Sequence, residues 1–285
     1  MTTITFEQIR AYRAKTFRLL PGQRLHSQEQ AIDYVNERGF VYFWPISGVT
    51  LPSLWAAVAG DRPVADAHDD PGHVTWGWKD ALLGQRRWYY AKVLRKRSTM
   101  ISLSVAPYFY ALSENYGAPE DDYLTLYEQG RLNLESKLVY EALLDHGPLD
   151  TIALRRATHM TSKDRDGRFN RALAELQADF KILPVGVTQA GGWKYAFAYD
   201  IVARHFPELP DLAHEIRENE ARQKLAGLYF CSLGAAKLTD LAKLFGWNPV
   251  QAERAVAALV QAGELSRGLE VKNHPGDWVA INQLI

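Results

Sequence analysis

The run from Arg86 to Arg97 concentrates residue types that bind nucleic acid. It holds six cations and no acid, namely Arg86, Arg87, Lys92, Arg95, Lys96 and Arg97. Trp88, Tyr89 and Tyr90 lie among them. Cations neutralise phosphates and release counterions, aromatic rings stack on bases, and like charges repel one another unless a polyanion is bound. We predict that this run contacts double-stranded DNA. The alternative is a helix with buried aromatic residues and a solvated basic face.

A second group of reactive side chains lies between residues 66 and 73. It brings three carboxylates and two imidazoles together, namely Asp66, His68, Asp69, Asp70 and His73. Such groups bind metals or act as general bases toward water. Their spacing matches no metal-binding pattern, and Asp70-Pro71-Gly72 is a turn sequence, so we predict an exposed loop. We expect no metal and no cofactor, and we keep Asp69, Asp70 and His73 as candidate catalytic residues.

The overall charge does not by itself indicate a polyanion-binding protein. The 285 residues contain 33 Lys and Arg and 33 Asp and Glu, so the net charge is zero and any nucleic-acid surface must be local. The single cysteine, Cys231, excludes an intramolecular disulfide and a cysteine-based zinc site, and it indicates a reducing compartment. Neither a membrane-spanning apolar run nor a signal-peptide core is present. We therefore expect a cytoplasmic protein that is nucleoid-associated when bound to DNA.

The elements that would position these groups are clearest between Thr161 and Asp200. Apolar residues recur there at helical spacing, at Phe169, Leu173, Leu176 and Phe180. Two alternating segments, KILPVGV and WKYAFAYD, then flank a Gln-Ala-Gly-Gly turn and predict a hairpin. Two shorter helices precede this pair, which gives the order of a winged helix-turn-helix. The pattern of Arg171–Leu176 recurs 83 positions later at Arg254–Leu259, which predicts a second copy.

Helix starts are marked by capping sequences. Thr5 and Ser27 are each followed three residues later by Gln, which is a capping-box pattern. Asn248 before Pro249 suits an N-cap followed by the first helical position. We predict that helices begin just after these residues.

These patterns predict a mainly helical α+β protein with small β-hairpin wings. We expect three tandem winged helix-turn-helix units in a curved row. The predicted parts are a first unit at 1–117, an acidic connector at 118–136, a second unit at 137–200, a second acidic connector at 201–220, and a third unit at 221–285.

In a winged helix, the third helix presents its N-terminal residues to the major groove and the wing reaches the backbone. The corresponding cations of the second unit are Lys163, Arg165 and Arg168 on the helix and Lys194 on the wing. The alternative is that i,i+4 pairs, Asp164–Arg168 and Arg171–Glu175, hold these arginines on the helix surface. The third unit has a nearly neutral set at equivalent positions, namely Gln251, Glu253 and Arg254. We expect that unit to be structural or to bind protein.

Four segments carry a resemblance to a known family. They are TFEQIRAYRAKTF at the start, GRFNRALAELQADFKILPVG in the second unit, ARHFPEL after its wing, and ARQKL, AAKLTDLAKLFGW and AGEL in the third unit. On these segments the chain resembles the crosslink-repair DNA glycosylases of the YcaQ/AlkZ type. The resemblance implies winged helices that hold duplex DNA in a concave basic channel. It also implies hydrolysis of the N-glycosidic bond of alkylated or crosslinked purines.

The family signature for catalysis is Gln-hydrophobic-Gln or Gln-hydrophobic-Asp, which positions the attacking water. The equivalent place here is Tyr42-Phe43-Trp44, and neither Tyr42 nor Trp44 can serve as that base. Whether the chain is a DNA glycosylase therefore stays open. We predict a monomer that binds double-stranded DNA, including damaged DNA, in repair of alkylated or crosslinked bases. The alternatives are a winged-helix transcriptional regulator or a protein-interaction scaffold.

Overall fold

The computed structural model describes residues 3–192 and 194–285, so Trp193 of the predicted hairpin lies outside the described residues. The predicted α+β class is confirmed, because helices predominate and the strands of the described residues form small sheets. The chain opens with β1 (Thr3–Ile4) and α1 (Phe6–Thr16). In the described part of the chain, the order helix, strand, helix, helix, strand, strand then occurs three times.

The three repeats are joined by pairs of short helices. The first repeat comprises α2 (Gln28–Arg38), β2 (Phe40–Tyr42), α3 (Leu54–Ala59), α4 (Val74–Leu82), β3 (Tyr89–Lys92) and β4 (Ser98–Ile101). It is followed by α5 (Ala106–Tyr110) and α6 (Asp122–Glu128). The second repeat comprises α7 (Leu134–His146), β5 (Leu149–Asp150), α8 (Thr151–Ala157), α9 (Asp166–Ala178), β6 (Ile182–Thr188) and β7 (Ala196–Ile201). It is followed by α10 (Val202–His205) and α11 (Leu209–His214). The third repeat comprises α12 (Glu218–Leu233), β8 (Ala235–Lys237), α13 (Leu238–Phe245), α14 (Pro249–Gln261), β9 (Leu265–Val271) and β10 (Trp278–Ile281).

The sheets of the three repeats share one strand order, with the last strand in the middle. The orders are β2-β4-β3, β5-β7-β6 and β8-β10-β9. Strand β1 extends the third sheet by pairing in parallel with β9, whereas the pairs within each repeat are antiparallel. The last two strands of each repeat therefore form a hairpin beside the strand that precedes the second helix.

The N-terminal segment packs on the third repeat. The sequence pattern predicts one unit over residues 1–117, whereas α1 contacts α12. The guanidinium of Arg13 donates to the carbonyl oxygens of Leu233 and Ala235 at 3.1 and 2.7 Å, and so satisfies one carbonyl at the end of α12 and one at the start of β8. Ile4 and Ile9 are buried in the same cluster as Leu269 and Val271 of β9. Apolar burial and carbonyl capping thus place this segment with the third repeat.

The capping residues do what their sequences predict. Thr5 accepts from the backbone N–H of Gln8, and the Gln8 side chain accepts from the N–H of Thr5. Ser27 caps α2, and Asn248 caps α14 with Pro249 in the first turn. These caps satisfy N–H groups that have no partner within a helix.

The hairpin β3–β4 of the first repeat lies against the second repeat. The ring of Tyr89 stacks on Phe180 with 4.4 Å between centroids. The backbone N–H of Lys92 donates to the side-chain oxygen of Gln177 on α9 at 3.1 Å. The segment 86–97 is therefore a strand and a turn wedged between repeats, and the helix considered for it is wrong. Because both faces of β3 are covered, its sequence lacks the alternation of apolar and polar residues that marks a half-exposed strand.

The hairpin β6–β7 of the second repeat reaches back to α4. The hydroxyl of Tyr195 donates to Asp80 at 3.0 Å and accepts from the ammonium of Lys79 at 3.1 Å. That ammonium also lies 4.5 Å from the ring centroid of Phe197. Each of the first two repeats thus contacts the other through its hairpin. Among the described residues, no helix is long and apolar enough to cross a membrane.

Candidate nucleic-acid interface

A groove of about 830 Å3 lies where the three repeats meet. It is lined by the β3–β4 turn, the end of α9, part of α12, and α13 with the turn that follows it. Its cations, among the described residues, are Arg95, Lys96, Arg131, Lys181, Arg222 and Lys243. Its acids in that same part of the chain are Glu114 and Asp179. Six cations against two carboxylates leave an excess of four positive charges on a concave surface.

A smaller groove of about 260 Å3 adjoins the first. Arg95 and Lys243 line both, so the two grooves form one continuous basic surface. The smaller groove adds Arg13, Lys237 and a single acid, Asp240, among its described lining residues. We call the two together the junction groove.

Arg95 is held in the groove by the geometry of the β3–β4 turn. Arg95 and Lys96 both have left-handed backbone conformations, with φ of 52° and 55°. This conformation costs a residue with a side chain about 1 kcal/mol, and glycine or asparagine usually fills it. The preceding Leu94 is buried, and its N–H donates to the hydroxyl of Thr99 at 3.2 Å. Arg95 and Lys96 therefore have strained backbone conformations, and the buried Leu94, bonded to Thr99, holds the turn in place.

The cations of the junction groove differ in how far they are neutralised. Arg131 is paired with Glu114, Arg222 with Glu218 at 2.8 Å, and Lys96 with Glu175 at 3.2 Å. The buried ammonium of Lys181 donates to the side-chain oxygen of Asn115 at 2.7 Å, and burial lowers its pKa. Within the described residues, neither Arg95 nor Lys243 has a carboxylate within 4.0 Å. Among the described lining residues, Arg13, Lys181 and Lys237 also lack such a carboxylate, but they are buried or half-buried, so Arg95 and Lys243 are the exposed cations without a paired acid.

The other members of the predicted basic run are placed differently. Arg86 pairs with Glu208 and lies 5.2 Å from the ring centroid of Phe206. Arg87 and Arg97 are exposed. Lys92 is half-buried, and this burial lowers its pKa.

The aromatic residues of that run are not available to bases. Trp88, Tyr89 and Tyr90 are 4%, 0% and 7% exposed, because β3 packs between the first and second repeats. Tyr90 lies against Phe197 of β7. The idea that these rings stack on bases is therefore wrong, and it is the cations of the run that reach solvent.

The candidates of the second repeat are exposed but do not line the junction groove. They are Lys163, Arg165, Arg168 and Lys194. Arg168 pairs with Glu135 at 3.4 Å rather than with Asp164. Glu175 accepts from Lys96 and, at 2.6 Å, from Asn133 rather than from Arg171. The alternative in which i,i+4 pairs hold these arginines is therefore wrong, because Glu135 pairs with Arg168, and Lys96 and Asn133 contact Glu175.

The loop with the candidate acids is separate from the junction groove. Asp70 accepts from Arg62 at 2.6 Å and from the N–H of Gly72 at 2.8 Å, and the Arg62 guanidinium holds the pKa of this carboxyl below its usual range. The Nε2 atom of His73 lies 3.0 Å from the Ala65 carbonyl oxygen. Asp69 is exposed. No group of three potential metal ligands occurs within residues 3–192 and 194–285.

The position equivalent to the family signature lies beneath the β3–β4 turn. Tyr42 is fully buried, and its hydroxyl donates to the Leu94 carbonyl oxygen at 3.3 Å. Burial raises the pKa of Tyr42 to about 12, although Arg95 and Arg97 act in the opposite sense. Trp44 lies in another cluster, with its ring centroid 5.8 Å from that of His73. Tyr42 is thus a core residue under the turn that holds Arg95.

The sequence pattern does not reveal most of the groove. Arg131, Lys181, Arg222 and Lys243 are far apart in the chain, and none of them lies in a dense basic run. Only the folded arrangement of three repeats brings them together. Of the predicted DNA contacts, Arg95 and Lys96 line the junction groove.

The comparisons agree with this fold. The model of the AlkZ-related family matches residues 25–246, so the chain belongs to the AlkZ-related family, as its sequence segments predict. Among solved structures it is similar to the DNA glycosylase AlkZ of Streptomyces sahachiroi, with a TM-score of 0.61 and 15% identity. The match covers 99% of this chain and 71% of that one. At this identity the likeness concerns the fold. No curated protein sequence matches the chain.

Proposed function

We propose that this protein binds double-stranded DNA through the junction groove, in the repair of alkylated or crosslinked bases. The observation that carries the proposal is the excess of positive charge on a concave surface at the meeting point of three repeats. Family membership and the likeness to a DNA glycosylase support a repair role. The repeated helix and strand order supports three winged helices as the scaffold.

The uncompensated cations are the strongest electrostatic support. Arg95 and Lys243 lie on different repeats and line both parts of the junction groove. Cations brought together without acids repel one another, and a phosphate backbone relieves that repulsion. The strained backbone of Arg95 adds to this, since residues retained in such conformations concentrate at functional sites.

The basic surface continues from the groove along α9. Steps of three and four residues place Arg168, Arg171 and Glu175 on one face of that helix. Glu175 contacts Lys96, so this face borders the β3–β4 turn. Arg168 keeps 68% of its side chain exposed and Arg171 is also exposed. We propose that one DNA strand follows the line from Arg95 past these arginines.

Catalysis is not assigned to the residues of the signature position. The Tyr42 hydroxyl is buried and, with its pKa near 12, is protonated at neutral pH, so it cannot accept a proton from water. Asp69, Asp70 and His73 do not line the junction groove. We therefore propose DNA binding with lesion recognition, and base release is a separate property to be measured.

The direct experiment is a salt titration of duplex binding. Fluorescence anisotropy of a labelled duplex, about 20 base pairs long, should give an affinity that falls steeply between about 50 and 200 mM salt, because counterions are released from each contacted phosphate. An alkylated duplex measured in parallel, with base release scored in the same samples, addresses the repair role. Failure to bind either duplex at the lowest salt would contradict the proposal.

A further inference from the structure

One aromatic residue of the junction groove is built as a platform. Trp247 lies in the turn between α13 and α14, and its ring is parallel to that of Phe245, with 4.4 Å between centroids and 14° between planes. Trp247 is half-buried and lines the groove. Phe245 covers one face of the indole, and the part of the ring that is not buried lines the groove.

The platform is rigid. Phe245 makes edge contacts with Phe40 at 5.7 Å and with Tyr229 at 6.3 Å, both of which are core residues. Gly246, in the left-handed conformation, ends α13 and Asn248 starts α14, so Trp247 is fixed between two capped helices. A ring held in this way loses little conformational entropy when a ligand stacks on it.

The space in front of the platform suits a small planar ligand with polar edges. The groove volume of about 830 Å3 falls within the range of small-molecule sites, about 300–1,000 Å3. Gln251 and the carboxylate of Asp179 line the same space. The Gln251 oxygen accepts from the N–H of Asn248 at 3.0 Å, so its amide nitrogen is the end left to donate. An amide donor and a carboxylate acceptor are the groups that read the edge of a base.

Cations surround the same space. Lys243 lies one turn before Trp247 on α13, and Arg95 and Lys181 line the groove with it. A single nucleotide drawn out of a duplex presents a planar base between two phosphates. The groove has an aromatic ring, polar groups that can read a base edge, and cations among its lining residues.

We propose that the junction groove receives a base extruded from the DNA duplex, which stacks on Trp247. The inference rests on the proposed DNA binding and adds to it the site that receives the base. Stacking of a base on an aromatic side chain contributes to affinity for any base, because every base has a π-face. Trp247 would therefore favour DNA with a base that is already unpaired over fully paired DNA.

The test compares two duplexes that differ by one unpaired 2-aminopurine nucleotide. The wild type should bind the duplex with the unpaired base about tenfold more tightly than the paired duplex, and stacking should quench the 2-aminopurine fluorescence. Trp247→Ala should lower this ratio of affinities to near one, and Trp247→Phe should keep most of it. Trp76→Ala is the matched control, because Trp76 is 47% exposed and does not line the groove. It should leave the ratio unchanged.

The outcomes separate the two proposals. If the wild type binds both duplexes equally, or if Trp247→Ala keeps the full ratio, the base site is overturned while DNA binding stands. If the wild type binds neither duplex, the DNA-binding proposal fails and the base site fails with it. Thermal unfolding of each variant distinguishes a lost platform from a lost fold. If the alanine variant unfolds, Trp247→Leu, which keeps an apolar side chain but has no aromatic ring, should likewise lower the ratio to near one.

Discussion

Lys96, at the tip of the first hairpin, forms an ion pair at 3.2 Å with Glu175 on α9, the helix whose sequence predicts DNA recognition. The pair fixes the hairpin beside that helix and brings Arg95 to the point where the three repeats meet. In the proposed function, DNA lies at this junction of repeats, and α9 forms one side of the binding surface.

Loss of the Lys96–Glu175 pair should change DNA affinity more than it changes the stability of the fold. Both side chains reach solvent, 52% and 24% exposed, and such pairs contribute about 0–1 kcal/mol. Glu175→Gln should therefore change the free energy of unfolding in urea by less than about 1 kcal/mol. It should also increase DNA affinity severalfold, because it removes a negative charge beside Lys96 and Arg171. Weaker DNA binding by this variant would contradict the proposed path of the DNA strand along α9.

The strained turn predicts opposite effects on stability and on binding. Arg95→Gly should raise the free energy of unfolding by up to about 1 kcal/mol, because glycine adopts the left-handed conformation without a steric penalty. The same variant should bind DNA more weakly, since it loses an uncompensated cation. Arg97→Gly is the control: Arg97 has φ of −114°, so glycine there should only destabilise. An Arg95→Gly protein that is both less stable and unchanged in DNA binding would refute this assignment.

The structural role of Tyr42 should appear as a pH dependence of the free energy of unfolding. Its pKa in the folded protein, about 12, lies above the ordinary value of about 10, so the stabilisation by its protonated form is complete below pH 10 and is lost as pH rises from 10 to 12. Tyr42→Phe should lower the free energy of unfolding by about 1 kcal/mol at pH 8, because it loses the hydrogen bond to the Leu94 carbonyl. At pH 11 the difference in unfolding free energy between the variant and the wild type should be smaller. Urea unfolding at both pH values measures this. A stability difference that is the same at both pH values would contradict it.

Asp70 should stabilise its own loop and should not contribute to DNA binding. Asp70→Asn keeps an oxygen for the N–H of Gly72 but weakens the contact with Arg62, so the variant should bind the paired duplex as the wild type does. Release of an alkylated base, if the wild type performs it, should persist in Asp70→Asn and in His73→Ala. Loss of release with binding retained in either variant would identify the loop as the source of the catalytic base.

The sequence predicts those parts of the fold whose contacts are local. The second and third repeats follow from helical stripes, hairpin alternation and capping residues such as Asn248, all of which act within a few residues. The hairpin strand β3 escapes this reasoning because Tyr89 and Tyr90 are buried on opposite faces, which removes the alternation that marks a strand.

Long-range pairing and the binding surface are harder to predict. Strand β1 pairs with β9, so Thr3 and Glu270 are neighbours that no local pattern connects. The junction groove likewise joins Arg95 to Lys243, which stand on different repeats. Trp247 is an ordinary aromatic residue in a helix–helix turn until the fold places it at a groove.

The most direct test is the salt dependence of duplex binding in two matched double variants. Arg95→Gln with Lys243→Gln removes two exposed cations of the junction groove that have no paired carboxylate, whereas Arg254→Gln with Lys272→Gln removes two exposed cations outside its lining. DNA binding through the junction groove predicts that the first pair weakens binding and reduces the slope of log affinity against log salt by about two, because each contacted phosphate contributes about 0.9. The second pair should change neither the affinity nor the slope. Equal losses in both variants, or an unchanged slope in the first, would contradict it.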